Sequence, residues 1–300
     1  MMKTALFFFL IFSFSILPNR TGLCPRFTNL EEALKRKEKV CELDLSGKSL
    51  SEVPEAVYSE FPKLELLNLS SNSLRELPKK IYKIPKLIII NLNRNYFKEF
   101  PSELLDSDSL EKIYLDDNEI SQIPPNIHRM KNLTSLSIMN NKIEELPKQF
   151  SLAENLEYLN LIGNDISYLP YGFDSLENLS TLYLGNNENL SISEELFNLK
   201  KLQRLSLSGI GIKTVPSEIK RLKRLKWLSL SHNKLEKIPP EMCELKEVEI
   251  LILNNNHLET LPEGMYRLKK LKKIFLNENP LSGVKLLELK NLLPEAEIEY

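Results

Sequence analysis

The sequence predicts an α/β solenoid, with a stack of parallel strands on one face and short helical or 3₁₀ segments on the other. Three observations predict it. Apolar residues recur at Val40, Leu64, Leu87, Leu110, Leu133, Leu156, Leu179, Leu202, Leu225, Val248 and Leu271, spaced 24 residues once and 23 thereafter. Each opens the same local pattern, which from Leu64 reads Leu67, Leu69, Asn72, Leu74, Leu77, Pro78, Ile81 and Ile84. Within each unit the apolar spacing changes from two to three, the change from strand to helical turn.

Each part of the unit has a physical role. The alternation of Leu67 and Leu69 describes a short strand that points both side chains inward and turns Leu66, Asn68 and Ser70 outward. Asn72 and its equivalents Asn95, Asn118, Asn141, Asn164, Asn187, Asn233, Asn256 and Asn279 fall where the strand passes into the loop. A buried amide there satisfies backbone groups of its own and adjacent coils, each of which otherwise costs about 1 to 3 kcal/mol when desolvated. The proline at Pro78 opens a single helical or 3₁₀ turn carrying Ile81 and Ile84, which forms the outer wall. One unit orders more backbone than its own apolar side chains stabilise, so the eleven units over residues 40–281 must stack, and both ends need caps.

Candidates for both caps are present. Thr28 and Glu31 form a capping-box pattern that opens a helix through Leu30, Ala33 and Leu34 to about Lys39, within a front cap over residues 24–39. In residues 282–300, Leu286, Leu289 and Leu293 lie on one helical face, Pro294 stops the helix, and Ala296, Ile298 and Tyr300 alternate with glutamates as a final strand. Before the front cap, Lys3 and the apolar run Ala5 to Leu17, broken by Pro18, read as a signal peptide over residues 1–23, too short for a membrane span. Its cleavage point stays open. Cys24 raises a lipid anchor as an alternative, although Thr21, Gly22 and Leu23 are a poor approach to a lipidated cysteine.

Composition narrows the function. The chain is 42% hydrophobic with a formal net charge of −1, so no global basic field draws it to nucleic acid. Three cysteines are too few for a disulfide scaffold and lack the paired spacing of a zinc site. Cys24 and Cys41 flank the front helix, either free or, if the chain is exported, bridged.

These units resemble the leucine-rich-repeat family over residues 40–281. The 23-residue form with Leu77-Pro78, Ile123-Pro124, Leu146-Pro147, Leu169-Pro170, Ile238-Pro239 and Leu261-Pro262 is similar to Ras-group repeats. The leader, the Leu-Glu-Glu-Ala-Leu front helix and the closing Leu-Leu-Pro make the whole most similar to exported spirochaetal proteins of that family. The resemblance implies a curved, right-handed solenoid that presents a concave protein-binding surface. Two units depart from the pattern and predict local irregularity. Asn189 takes a core leucine position with Leu190 one step late and Ser193 replacing proline, and Ile210, between Gly209 and Gly211, replaces the ladder asparagine.

The inward positions are fixed by packing, so function is expected on the outward strand positions. They hold two apolar and aromatic clusters, Tyr114, Met139, Tyr158, Ile162 and Tyr183 in the middle and Trp227, Ile250, Ile252 and Phe275 near the end. Single exposed apolar residues are common, but neighbours on adjacent strands merge into a patch of the kind that marks a partner site. Arg94, Lys112, Asp116, Asp117, Arg204 and Lys273 rim them, to set orientation or simply to face solvent.

Catalytic readings are thin. His232, His257 and Glu278 on adjacent coils outline at most a surface metal site, and the reading adopted is no metal and no cofactor. His128 faces solvent on the outer wall. Nothing in the pattern supplies Asp116 and Asp117 with the apolar pocket that splits carboxylate pKa values for acid–base work. Cys243, next to the inward Met242, reads as a partly covered structural thiol. The Asn-x-Ser/Thr matches at Asn68, Asn132, Asn178 and Asn189 are by-products of the repeat. The expected function is a non-catalytic protein-binding module outside the cytoplasm, an adhesin or envelope protein; the alternative is an intracellular scaffold with Ras-group-like repeats.

Overall fold

The computed structural model describes residues 24–300, so the leader over residues 1–23 lies outside the described residues. One parallel sheet runs the length of the molecule. Its thirteen strands lie side by side in chain order: β1 (Arg26–Phe27), β2 (Glu42–Asp44), β3 (Leu66–Asn68), β4 (Ile89–Asn91), β5 (Lys112–Tyr114), β6 (Ser135–Ser137), β7 (Tyr158–Asn160), β8 (Thr181–Tyr183), β9 (Arg204–Ser206), β10 (Trp227–Ser229), β11 (Ile250–Ile252), β12 (Lys273–Phe275) and β13 (Glu297–Glu299). The register advances by one repeat per strand, Leu67 pairing with Ile90 and Leu228 with Leu251. Every strand returns by way of the convex wall, giving an open right-handed solenoid with the sheet on its concave side.

The convex wall is built mostly of proline-led turns, with Ser193 leading the turn at Glu194–Asn198. Most are 3₁₀ helices, such as Pro125–Arg129, Ser217–Arg221 and Pro240–Glu244, and one, α2 (Glu55–Ser59), is a single α-helical turn. Pro54, Pro124, Pro216 and Pro239 hold the N-cap positions, where a missing N–H costs nothing. Inward leucines and isoleucines from sheet and wall meet in one continuous core, with Phe150, Phe173 and Phe197 filling it from the wall side.

The asparagine column closes the turn after each strand. Asn95 donates from Nδ2 to Leu69 O at 3.1 Å and Leu92 O at 3.0 Å, while its Oδ1 accepts the Leu74 N–H at 3.0 Å. The same set of bonds recurs at Asn118, Asn164 and Asn256, so each amide ties its coil to the preceding one. The residue before each asparagine takes the left-handed backbone conformation: Ser71, Arg94, Asp117, Asn140, Asn186, His232, Asn255 and Glu278 carry it at φ between 52 and 57°. Glycine occupies that position at Gly163 and Gly209, where an added Cβ would strike the side-chain oxygen of Asn140 or Asn186. A second, shorter ladder runs along the opposite edge. Asn132, Asn155 and Asn178 each donate to a turn carbonyl of the coil before, at 2.6, 2.8 and 2.8 Å.

The two departures from the repeat leave the sheet intact. β8, β9 and β10 pair in register through both. The irregularity stays in the turns: Leu190 is buried and its N–H turns back to Asn187 O at 3.0 Å, while Ile210 is buried where the amide would sit.

Both ends are covered. At the front, α1 (Leu30–Leu34) buries Ala33; its N-cap is Asn29, not Thr28, and it ends at Leu34, with a separate 3₁₀ turn at Lys37–Lys39 in place of a helix continuing to Lys39. The Asn29 side-chain oxygen Oδ1 accepts the Glu32 N–H at 3.1 Å, the third helical donor that an N-cap side chain can reach. Sequence periodicity did not indicate β1, a two-residue strand that pairs with β2. Cys24 and Cys41 are bridged, with Cα atoms 5.6 Å apart. At the back, α3 (Gly283–Leu292) packs Leu289 onto the last coil, and β13 adds the closing strand.

Candidate functional site

Because strand side chains alternate, the first and third residues of each strand face the concave side. Those positions hold the aromatic residues singled out in the sequence, and adjacent strands bring them together. The Tyr158 and Tyr183 rings meet edge-to-face at 5.9 Å, and Tyr183 meets Trp227 at 5.8 Å with the planes at 76°. The second contact spans β9, where the outward Ser206 is too small to intervene. The Tyr183–Trp227 contact thus joins the two clusters read from the sequence.

The ridge is less exposed than a row of outward aromatics implies. Tyr114, Met139, Tyr158, Tyr183, Trp227 and Ile250 are half-buried, and Ile162, Ile252 and Phe275 are only 9, 8 and 7% exposed. Strands stand about 4.8 Å apart, closer than the width of a ring, so outward side chains cover one another. Lys273 adds to the cover, its ammonium 4.7 Å from the Phe275 ring centre.

Asp116 anchors the front end of the ridge. It accepts bonds from Ser137 Oγ at 2.5 Å, the Met139 N–H at 2.8 Å and Asn93 Nδ2 at 3.2 Å. Burial nevertheless raises its pKa from 3.8 to about 6, outweighing those bonds, with Asp117 pushing the same way. The expectation that nothing desolvates this carboxylate is thus corrected. Burial also raises the pKa values of Tyr114 and Tyr158, helped by the charge of Asp116, and in Tyr158 by Tyr183 as well. Asp116 is the hub of a hydrogen-bonded network.

Polar groups flank the rest of the surface. Ser206, Ser208, Ser229 and Ser231 form a hydroxyl cluster beside Trp227, with Ser208 and Ser229 2.6 Å apart. Sequence reading missed it; reading serines down the columns of adjacent repeats shows it. Three more of the rim residues are engaged: Arg94 lies 3.4 Å from Asp117, and Lys273 pairs with Glu297 at 3.0 Å and with Glu299. At the opposite end Arg26 pairs with Glu42 at 3.3 Å and with Asp44.

The residues weighed for chemistry stay apart. Among the described residues no three of His, Cys, Asp and Glu come together to hold a metal ion. His232, His257 and Glu278 sit separately on the surface, and His128 bonds the Pro125 carbonyl at 2.9 Å. Cys243 is fully buried, not partly covered, and burial raises its thiol pKa, leaving it a packing residue. No described helix is long and apolar enough to cross a membrane.

Comparison with known proteins agrees with this architecture. The family model described as leucine rich repeat matches residues 38–97, 108–166 and 223–281. No curated protein matches the chain. Among solved structures, a leucine-rich-repeat protein of Leptospira interrogans is 26% identical, with a TM-score of 0.59, over 92% of this chain and 100% of its own. A TDR receptor is 26% identical with a TM-score of 0.75 over 91% of this chain, and PEPR1 in the PEPR1–AtPEP1 structure is 28% identical with a TM-score of 0.70 over 87%. The chain spans 49 and 41% of those two proteins. With three matched stretches covering more than half its length and its repeats coiled into one parallel-sheet solenoid, the chain belongs to the leucine-rich-repeat family.

Proposed function

We propose that the chain is a non-catalytic module that binds a protein partner outside the cytoplasm, along the concave ridge from Tyr114 through Tyr158 and Tyr183 to Trp227. The carrying observation is the unbroken edge-to-face contact from Tyr158 to Trp227, which presents one semi-rigid amphipathic strip across four strands. The PEPR1–AtPEP1 structure, a relative assembled with a second component, supports the reading. The Cys24–Cys41 bridge supports an oxidising compartment, in line with the leader segment and with the resemblance to exported spirochaetal proteins. Adhesion or envelope interaction is the role that fits such an address.

Two measurements test this. Amino-terminal sequencing of the species found outside the cytoplasm is expected to give a start between Ile16 and Cys24; an unprocessed chain confined to the cytoplasm would favour the intracellular scaffold with Ras-group-like repeats. A partner retained by the wild-type chain and lost by a Tyr183→Ala/Trp227→Ala variant is the concave ligand. Equal retention by both would move the binding site off this face.

A further inference from the structure

The formal charge of −1 conceals a separation of sign along the coil. Residues 99–199 carry 18 carboxylates against 5 lysines and arginines, a formal −13, whereas residues 200–273 carry 17 lysines and arginines against 8 carboxylates, a formal +9. Charge counted by segment shows this, and charge counted for the whole chain hides it.

On one edge of the solenoid, where each coil turns to enter its strand, the change is abrupt. Around the entries to β5 through β8 the exposed residues include Asp108, Glu111, Glu154, Glu157 and Glu177, with Lys131 opposing them. Around the entries to β9 through β12 they include Lys200, Lys201, Lys223, Arg224, Lys226 and Lys269. These positions are spatial neighbours. The short asparagine ladder binds the turns of the acidic half together, and Lys201 Nζ crosses the boundary to Asn178 Oδ1 at 2.7 Å. Part of the basic half is neutralised internally, Lys223 by Glu244 at 3.1 Å and Lys270 by Glu247 at 2.6 Å. Among the described residues, Lys200, Arg224, Lys226 and Lys246 have no carboxylate within 4.0 Å.

Four strands at about 4.8 Å make each half roughly 15 to 20 Å long. That is about twice the Debye length of roughly 8 Å at physiological salt, so the halves act as two separate fields. We infer that this edge is an interface between two copies of the chain, laid antiparallel about a two-fold axis at the β8–β9 boundary. The acidic half of each copy then meets the basic half of the other. Such a contact is self-complementary and closes as a dimer. A polyanion lying along the edge would fit only β9 to β12 and be repelled from β5 to β8, and the net charge gives it no long-range attraction. A second copy matches both halves, and it leaves the concave face free for the partner proposed above.

Sedimentation velocity of the purified chain tests the inference. A dimer is expected at about 50 mM salt, with a dissociation constant at least about tenfold higher at about 500 mM. The variants Lys223→Glu/Arg224→Glu/Lys226→Glu and Glu154→Lys/Glu157→Lys/Glu177→Lys should each sediment as monomers. Their equimolar mixture should recover the dimer, because the stretch reversed to acidic in one variant then faces the stretch reversed to basic in the other. All six side chains are exposed and lie outside strands and helices, so unchanged circular dichroism separates loss of contact from loss of fold. A monomer at low salt, or a dimer that survives either triple reversal, overturns the inference. A monomeric chain held by heparin through the basic half alone overturns it in favour of a polyanion.

Discussion

The side-chain oxygen of Asn233 accepts the backbone N–H of Ile210 at 3.2 Å, in addition to that of Ile212 at 3.2 Å. In most coils one asparagine oxygen takes a single N–H from the coil before. The doubled bond arises because Ile210 stands where that coil's own asparagine would be. The front of the solenoid repeats the solution: Lys48 has no amide at that position, and Asn72 accepts the N–H groups of both Lys48 and Leu50 at 3.0 Å.

Asn233 is therefore predicted to be costlier to lose than an asparagine in a regular coil. Asn233→Ala strands two N–H donors together with the carbonyl of Leu207, which its Nδ2 serves at 2.8 Å, while the Leu230 carbonyl keeps its bond from Asn256 at 2.9 Å. At about 1 to 3 kcal/mol per buried group left unpaired, with water recovering part, a loss of about 3 to 5 kcal/mol is expected. Asn118→Ala, which strands one donor, should lose about 1 kcal/mol less. Denaturant unfolding of the two variants decides it, and equal losses would mean that water replaces the second bond.

The left-handed column carries removable strain. His232 and Glu278 hold φ of 54 and 56° without the short amide side chain that eases such a backbone. Replacing either with glycine should raise stability by about 0.5 to 1 kcal/mol, the relief exceeding the added freedom of the unfolded chain. Gly209→Ala should do the reverse, since its Cβ would strike Asn186. Thermal melts of the three variants give the signs.

Asp116 makes stability depend on pH. Its pKa rises from 3.8 to about 6 on folding, so between about pH 4 and 6 the folded chain holds a proton that the unfolded chain has released. That contribution is complete below about pH 4 and is lost as pH rises through 6. Ser137, the Met139 N–H, Asn93, Asp117, Tyr114 and Tyr158 surround the group. Measured against Asp116→Asn, the wild type should gain in melting temperature as pH falls from 7 to 5. A constant difference over that range would mean that Asp116 titrates normally.

Along the ridge, binding and stability are predicted to separate by residue. Trp227 is half-buried at the centre, and Trp227→Ala should weaken partner binding by more than about 1 kcal/mol while leaving the fold largely intact. Phe275, equally outward by sequence, is 7% exposed beneath the Lys273 ammonium, so Phe275→Ala should cost about 3 kcal/mol of stability. Unfolding and binding assays on both variants test the split, and equal stability losses would place Trp227 in the core as well.

Phe275 also shows where reading the sequence stops. A period of two decides which side of the sheet a residue faces, and the 23-residue recurrence decides which residues share a column, so the solenoid, its core and its asparagine column are legible before any coordinates. How far a side chain on the concave face is covered depends on its neighbours across strands, as with Lys273 over Phe275 or Ser206 yielding to Tyr183 and Trp227. Ring contacts, the burial of Asp116 and the doubled bond at Asn233 are set by packing between coils. The strand β1 escaped notice because two residues are too few to show a period.

The Cys24–Cys41 bridge should stabilise one end of the molecule and not the other. It closes a loop with a sequence separation of 17 that contains β1 and α1, and a loop of that size contributes about 3 kcal/mol through the unfolded state. In a solenoid each coil is supported mainly by the next, so what the bridge holds is local. Reduction, or Cys24→Ser/Cys41→Ser, should first loosen β1 and α1 and then expose the coil at Val40 and Leu43, which they cover. Hydrogen exchange should lose protection at Leu43 and Leu45 while Leu228 and Leu251 keep theirs. Uniform loss from end to end would show that the coils unfold as one unit, whereas no loss at the front would show that packing of Phe27 and Ala33 suffices to hold that end without the bond.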